Sequence, residues 1–184
     1  MRHALSLAAL AIPLVFAANA VAAHDFSWHV GLGLAAELDE RVFSTPGARV
    51  EAEEAVTAFV AATHGNGFGA ELAYVDLGTV SEAGIADAGY ELDGELWSLG
   101  LTYAVQMDAF EPYAKLGWYS REEDGVALTI AGPRPFDLDD DGLMGEVGLR
   151  WRVTEPVALR LGYVWYDFQP DSDASAQFAA EWRF

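Results

Sequence analysis

The sequence predicts an all-β fold, eight antiparallel strands closed in up-and-down order into a barrel. Three observations predict it. Apolar and polar residues alternate with period two in seven separate stretches, as they do in half-buried strands, and an eighth stretch alternates ambiguously. The connections between those stretches are alternately long and short. All six tryptophans fall on the apolar faces.

Composition narrows the class. The chain has 184 residues, enough for one domain, and is 52% hydrophobic and 12% aromatic. Its formal charge is -19, with only 10 Lys plus Arg. That argues against a nucleic-acid partner, which needs basic surface to neutralise phosphates. With no cysteine, neither a disulfide framework nor a thiolate metal site is possible. The first residues have the form of a secretory signal. Arg2 and His3 make a basic start, Ala4 to Ala18 is a small-apolar run, and Val21-Ala22-Ala23 offers small residues for cleavage. Residues 1–23 are therefore expected to be a signal peptide and 24–184 the barrel domain, with cleavage after Ala20 as second choice. Beyond residue 23 no apolar run approaches the ~20 residues of a membrane helix.

The strands follow in order. Phe26 to Leu34 sets Phe26, Trp28, Val30, Leu32 and Leu34 against Ser27, His29, Gly31 and Gly33. A polar connection from Glu37 to Glu53 carries the turn signal Thr45-Pro46-Gly47. Glu54 to His64 has four Ala and one Glu, which would suit a helix, and its alternation is ambiguous, yet an even-numbered antiparallel barrel requires a strand there. His64-Gly65-Asn66-Gly67 is a tight turn. Phe68 to Leu77 is the third strand, Gly78 to Tyr90 a loop, and Glu95 to Val105 the fourth strand. A short turn through Asp108 and Pro112 leads to the fifth, Tyr113 to Ser120. Arg121 to Gly142 is expected to be the longest well-marked loop. Leu143 to Val153 and Val157 to Phe168 flank the turn Thr154-Glu155-Pro156, and Ala174 to Phe184 closes the set.

The apolar faces suit lipid. If odd strands run outward, Trp28, Trp151 and Trp182 form a girdle at one end and Trp97, Trp118 and Trp165 a girdle at the other. Tryptophan favours such interfaces. No charged residue sits mid-strand on these faces, where a basic side chain costs about 2–4 kcal/mol. A water-soluble barrel would put its bulky apolar face inside. Here the opposite face reads as Gly, Ala, Ser and a few charges, too small and polar for a dry core. Short turns at one end and long loops at the other fit an outer-membrane barrel.

The chain resembles the small eight-stranded outer-membrane β-barrels, such as the transmembrane domain of outer membrane protein A and its porin-like relatives. The resemblance rests on Gly67-Phe68-Gly69-Ala70-Glu71-Leu72-Ala73-Tyr74 and on the terminal Phe184 with alternating aromatics before it. It implies an integral protein of the outer membrane in a Gram-negative envelope, in contact with lipid and lipopolysaccharide. It also implies that Phe178, Trp182 and Phe184 form the signal read by the outer-membrane assembly machinery. A monomer is expected.

The inner face carries Glu71, Lys115, Glu146, Arg150, Arg160, Glu181 and Arg183. Charges in a narrow interior must pair or stay hydrated, so the first six are expected to form an ion network filling the barrel. A gate that leaks ions when pairs exchange is the sharper alternative. Asp137-Leu138-Asp139-Asp140-Asp141-Gly142 matches the first half of a calcium loop, which makes Asp137, Asp139 and Asp141 candidate calcium ligands. The twelfth position is Gly148 rather than Glu, and strand residues follow. No other cofactor is expected. No enzymatic activity is expected either, because His24, His29 and His64 stand beside no serine in a deacylase-like arrangement. The leading expectation is a structural, envelope-integrity role with acidic external loops. The alternatives are a narrow passive pore or loop-mediated adhesion and recognition.

Overall fold

The computed structural model describes residues 26–37, 49–52, 55–83, 89–129, 132–167 and 173–184. The signal-peptide expectation for residues 1–23 lies outside them. The described residues form nine strands: β1 (Phe26–Glu37), β2 (Arg49–Ala52), β3 (Ala55–His64), β4 (Phe68–Ala83), β5 (Gly89–Ala104), β6 (Phe110–Thr129), β7 (Gly132–Arg152), β8 (Val157–Tyr166) and β9 (Asp173–Arg183). β2 and β3 both pair with β4 in one register, as Ala52↔Val80 and Val56↔Asp76. They are two lengths of one stave, so the barrel has eight.

Each stave is antiparallel to its sequence neighbours. β1 pairs with both β3 and β9, and β4 with both β3 and β5, which closes the ring. The seam is completed by the chain's last residue. Phe184 N donates to Trp28 O and Trp28 N to Phe184 O, both at 3.0 Å.

Three tight turns set the register at one end. In the first, Gly67 N donates to His64 O at 2.9 Å and Phe68 N to Asn66 Oδ1 at 3.1 Å. Gly67 has φ of 92° and its α-carbon faces Ala104 O, so glycine is required there on both counts. The second turn brings Met107 and Phe110 together and holds Asp108 at φ of 24°. In the third, Val157 N donates to Thr154 Oγ1 at 3.2 Å.

At the other end the structure corrects three expected loops. β1 runs to Glu37 and β2 occupies 49–52. β4 and β5 extend to Ala83 and from Gly89. The expected 121–142 loop is instead the upper half of a long hairpin, β6 to Thr129 and β7 from Gly132. Acidic residues, Gly and Pro have low strand propensity, so these stretches look like loops in sequence. Each nonetheless meets a partner strand: the β4–β5 ladder continues past a register shift between Asp76 and Gly78, and the β6–β7 ladder is unbroken from Trp118↔Leu143 to Thr129↔Gly132. The wall is tall over β2 and β4–β7, and among the described residues the ladder between β7 and β8 runs to Met144↔Tyr166.

The interior has two layers. Toward the tight turns lie Glu71, Lys115, Glu146, Arg150, Arg160 and Glu181, all buried. Toward the tall wall lies an apolar cluster of Leu96, Tyr119, Met144, Val164, Val75 and Tyr166 with Ala35 and Ala55. That layer overturns the expectation of an interior too small and polar for a dry core. The expectation weighed the Gly, Ala and Ser positions of the inner face. Leu96, Tyr119, Met144, Val164 and Tyr166 cluster at one height, which only the strand stagger reveals, while Phe59 and Tyr113 lie among the charges.

Candidate functional site

The six expected interior charges meet in one network, and all are buried. Register explains why. Lys115 on β6 stands directly opposite Glu146 on β7, and Arg150 on β7 opposite Arg160 on β8. The two facing arginines repel unless carboxylates come between them. Glu71 enters from β4 across the barrel, and Glu181 from β9.

Arg160 is the hub. Its Nη1 lies 2.6 Å from Glu71 Oε2 and its Nη2 3.2 Å from Glu71 Oε1, a two-pronged pairing. The same Nη2 lies 2.6 Å from Glu146 Oε1, and Nε donates to the Tyr113 hydroxyl at 2.7 Å. Tyr113 in turn donates to Glu146. The Lys115 ammonium bridges the same two acids, at 2.7 Å from Glu71 Oε1 and 2.7 Å from Glu146 Oε2. The Arg160 guanidinium sits over the Phe59 ring at 4.5 Å and the Tyr113 ring at 4.7 Å, which adds cation–π attraction. Three acids (Glu71, Glu146, Glu181) face three bases (Lys115, Arg150, Arg160), so the buried network is formally neutral.

Glu181 lies within reach of two arginines. Its nearer partner is Arg150, with Nε 3.1 Å from Oε1, while Arg160 Nη1 stands at 3.6 Å. The ladder puts Arg160 opposite Ala179 rather than Glu181. His29 points inward as its parity requires, with Nδ1 3.6 Å from Glu181 Oε2. Arg183 lies apart from the core network. At the turn-end mouth it reaches Ser27 Oγ at 3.1 Å and Glu111 at 3.5 Å, and Arg152 also pairs with Glu111. A recess of about 10 Å³, room for about one water, opens there between His29, Glu111, Arg150, Glu181 and Arg183.

Tyr113, Glu111 and Arg152 were not singled out by sequence. The signal was available: residues 111 and 113 share the inward parity of Lys115. Nor did the sequence say why the inner face is rich in glycine. A Cβ at Gly162 would stand 2.6 Å from Glu146 Oε1 and 2.8 Å from the Tyr113 hydroxyl, and one at Gly100 2.7 Å from Lys115 Cγ. These glycines make room for their neighbours' charged side chains.

The calcium-loop reading of Asp137, Asp139 and Asp141 is overturned by the fold. All three lie on β7, and alternate residues of a strand are spread roughly 6–7 Å apart along one face. They project outward, while Asp140 turns inward and accepts from the Tyr119 hydroxyl at 2.8 Å. Among the described residues no group of three or more His, Asp or Glu is placed to hold a metal ion.

The outward face is apolar through its middle, with Leu101 at 73% exposure and Leu116 at 64%. Trp28, Trp151 and Trp182 stand near the tight turns, with Trp151 stacked on Phe110. Trp97, Trp118 and Trp165 stand toward the tall end, where Trp97 packs on Tyr74. Phe178 and Phe184 also face outward. A closed barrel with a lipid-facing apolar belt between aromatic rows, and its charges paired inside, defines an integral outer-membrane barrel protein.

The chain belongs to the outer membrane protein beta-barrel domain family, whose family model matches residues 7–184. No curated relative matches it in sequence. Solved structures share the fold. One is the N-terminal β-barrel domain of Pseudomonas aeruginosa OprF, at 12% identity and TM-score 0.59, covering 87% of this chain and 98% of that one. Another is Ail, the attachment invasion locus protein of Yersinia pestis, in complex with the heparin analogue sucrose octasulfate. It aligns at 11% identity and TM-score 0.58, covering 87% of this chain and 99% of that one. Pseudomonas aeruginosa OprG aligns at 15% identity and TM-score 0.55, over 87% of this chain and 95% of that one.

Proposed function

We propose that this protein is a sealed, non-conducting barrel that supports the integrity of the outer membrane. It acts as a monomer, without catalysis, and its lipid belt is bordered by lipopolysaccharide. The observation that carries this reading is the pair of stacked interior layers. An ion moving through the lumen must first cross the neutral network around Arg160, in which each carboxylate is already engaged. It must then cross the apolar layer of Leu96, Tyr119, Met144 and Val164, all essentially inaccessible to solvent. Exchange of ion-pair partners can open the first barrier. It leaves the second intact, because apolar side chains have no alternative polar partners to switch to. This is why the passive pore, with or without a gate, is the weaker reading.

Planar-bilayer recording tests the proposal on three proteins. Wild type and Arg160→Ala are expected to show no channel openings, while Leu96→Gly combined with Arg160→Ala admits ions. Openings in wild type would refute the sealed reading. The envelope role is tested by deleting the gene, which is expected to raise detergent sensitivity and leakage of a periplasmic reporter. Unchanged sensitivity and leakage would refute that role.

A further inference from the structure

The turn-end mouth of the barrel holds polar atoms that the ion network does not use. His29 and Arg150 are both buried, at 3% and 2% exposure. Three buried side-chain atoms there, His29 Nε2, Arg150 Nη2 and Glu181 Oε2, have no hydrogen-bond partner among the described residues. All three residues line the recess between the network and the mouth. Buried polar atoms are normally paired, so three orphans around one small space point to something that occupies it.

Register assembles the recess. His29 on β1 stands opposite Arg183 on β9 and Ala61 on β3. Glu181 shares the inward parity of Arg183, and its Oε2 lies 3.6 Å from His29 Nδ1. Its Oε1 meets Arg150 Nε of β7 at 3.1 Å, and Arg160 Nη1 of β8 stands 3.6 Å away. Nearer the mouth, Arg152 and Arg183 both pair with Glu111 of β6, and Glu155 lies in the turn beside them. On the β3 side the inner residues are Ala61 and Thr63, neither of which titrates.

Charge decides what the recess can hold. The lining arginines, 150, 152 and 183, are balanced by Glu111, Glu155 and Glu181. Histidine changes charge within the range of about pH 5 to 8, and His29 lines the same space. A proton on its ring makes both nitrogens donors. Nδ1 can then give its hydrogen to Glu181 Oε2, and Nε2 joins Arg150 Nη2 as an unused donor. The balanced mouth also gains one positive charge away from bulk water, which needs a counter-ion. Two unused donors, one excess positive charge and room for about one water-sized species specify a small anion. With the ring neutral the excess charge is gone and a water suffices. A cation is disfavoured in both states by the three guanidinium groups around it.

We propose that this recess binds one small monatomic anion of the halide class, together with a proton on His29. Arg150 Nη2 and His29 Nε2 donate to the anion. Proton and anion arrive as a neutral pair, so the interior keeps its charge balance in both states. The proposal goes beyond the sealed-barrel reading. It holds whether or not the lumen conducts, because the recess opens at the turn-end mouth.

The test uses the full protein in phosphatidylcholine nanodiscs with chloride as the probe, gluconate holding the ionic strength constant. Broadening of the chloride NMR line reads binding at about pH 5.5 and about pH 8. Saturable broadening is expected at the acidic pH, displaced by bromide and not by the larger sulfate. Affinity should fall about tenfold per pH unit once the ring is neutral. Calorimetry in two buffers of different ionisation enthalpy should find about one proton taken up per chloride bound at a pH where the free ring is neutral. With isotope-labelled histidine, chloride should move the ring signals of His29 and leave those of His64, in the first tight turn, in place. His29→Gln, neutral and similar in size, should abolish saturable binding. Arg150→Lys keeps the charge, lacks the Nη2 donor and should weaken binding about tenfold. The ring signals are read on the unaltered protein, so they decide the matter even where a variant fails to fold. The proposal is overturned by any of four results. These are no saturable binding at the acidic pH, equal affinity at both pH values, equal displacement by sulfate, or His29 signals that follow pH and ignore chloride, the mark of a water only.

Discussion

Removing Arg160 should unbalance the interior in a way that a second substitution partly repairs. In the native barrel three acids face three bases. Arg160→Met leaves Glu71, Glu146 and Glu181 with Lys115 and Arg150, a buried excess of one negative charge. It also removes the contacts at 2.6 Å to Glu71 and 2.6 Å to Glu146 and the bond to Tyr113 at 2.7 Å. Breaking a buried pair by deleting one partner costs roughly 3–5 kcal/mol, because the surviving charge stays buried. Glu71→Gln alone creates the opposite excess, with Arg160 and Lys115 sharing Glu146. The double variant Glu71→Gln/Arg160→Met restores neutrality, leaving Lys115 with Glu146 and Arg150 with Glu181. Its destabilisation should fall short of the sum of the singles by about 0.5–3 kcal/mol. Urea unfolding in lipid vesicles, followed by tryptophan fluorescence, measures all four proteins. Additive losses in the double variant, or a loss under about 1 kcal/mol for Arg160→Met, would refute the view that these charges form one mutually dependent network.

Three further outcomes can be measured with the same preparations. Gly162→Ala should cost about 1–3 kcal/mol as an overpacking change, because its methyl group would press on Glu146 and Tyr113; an unchanged urea midpoint would show that the network yields freely. Leu161→Arg places a cation in mid-belt, opposite Leu149 and Phe178. It should cost about 2–4 kcal/mol, whereas Asp139→Arg above the girdle should cost little; equal costs would mean that the belt has been misplaced. Deleting Phe184 removes both backbone bonds to Trp28 at the seam and should lower the folded fraction in membrane-insertion assays more than Phe68→Ala. Equal folded fractions would make the terminal residue ordinary lipid-facing surface.

How far the fold was legible depends on which physical property carried the signal. The lower halves of the strands were legible because one face meets lipid and the other a packed lumen, so parity is written into residue type. The same parity placed Glu71, Lys115, Glu146, Arg150, Arg160 and Glu181 on one inner surface. The upper hairpin was not legible. Both its faces are polar, so alternation fades, and runs such as Asp137 to Gly142 imitate a metal loop. There the structure is held by backbone pairing across β6 and β7, which leaves little trace in side-chain chemistry.

By itself, then, the sequence determined the fold class, the in-or-out direction of each strand residue in the belt, and the identity of the six charges that meet in the central network. Those follow from the period-two geometry of a strand between two unlike solvents. Only the tertiary structure decided heights: that Arg150 rather than Arg160 lies nearest Glu181, and that Leu96, Tyr119, Met144 and Val164 gather in one sealing layer. Height depends on the stagger between neighbouring strands. Stagger is set by closure of the whole ring, a condition that no single stretch of sequence contains.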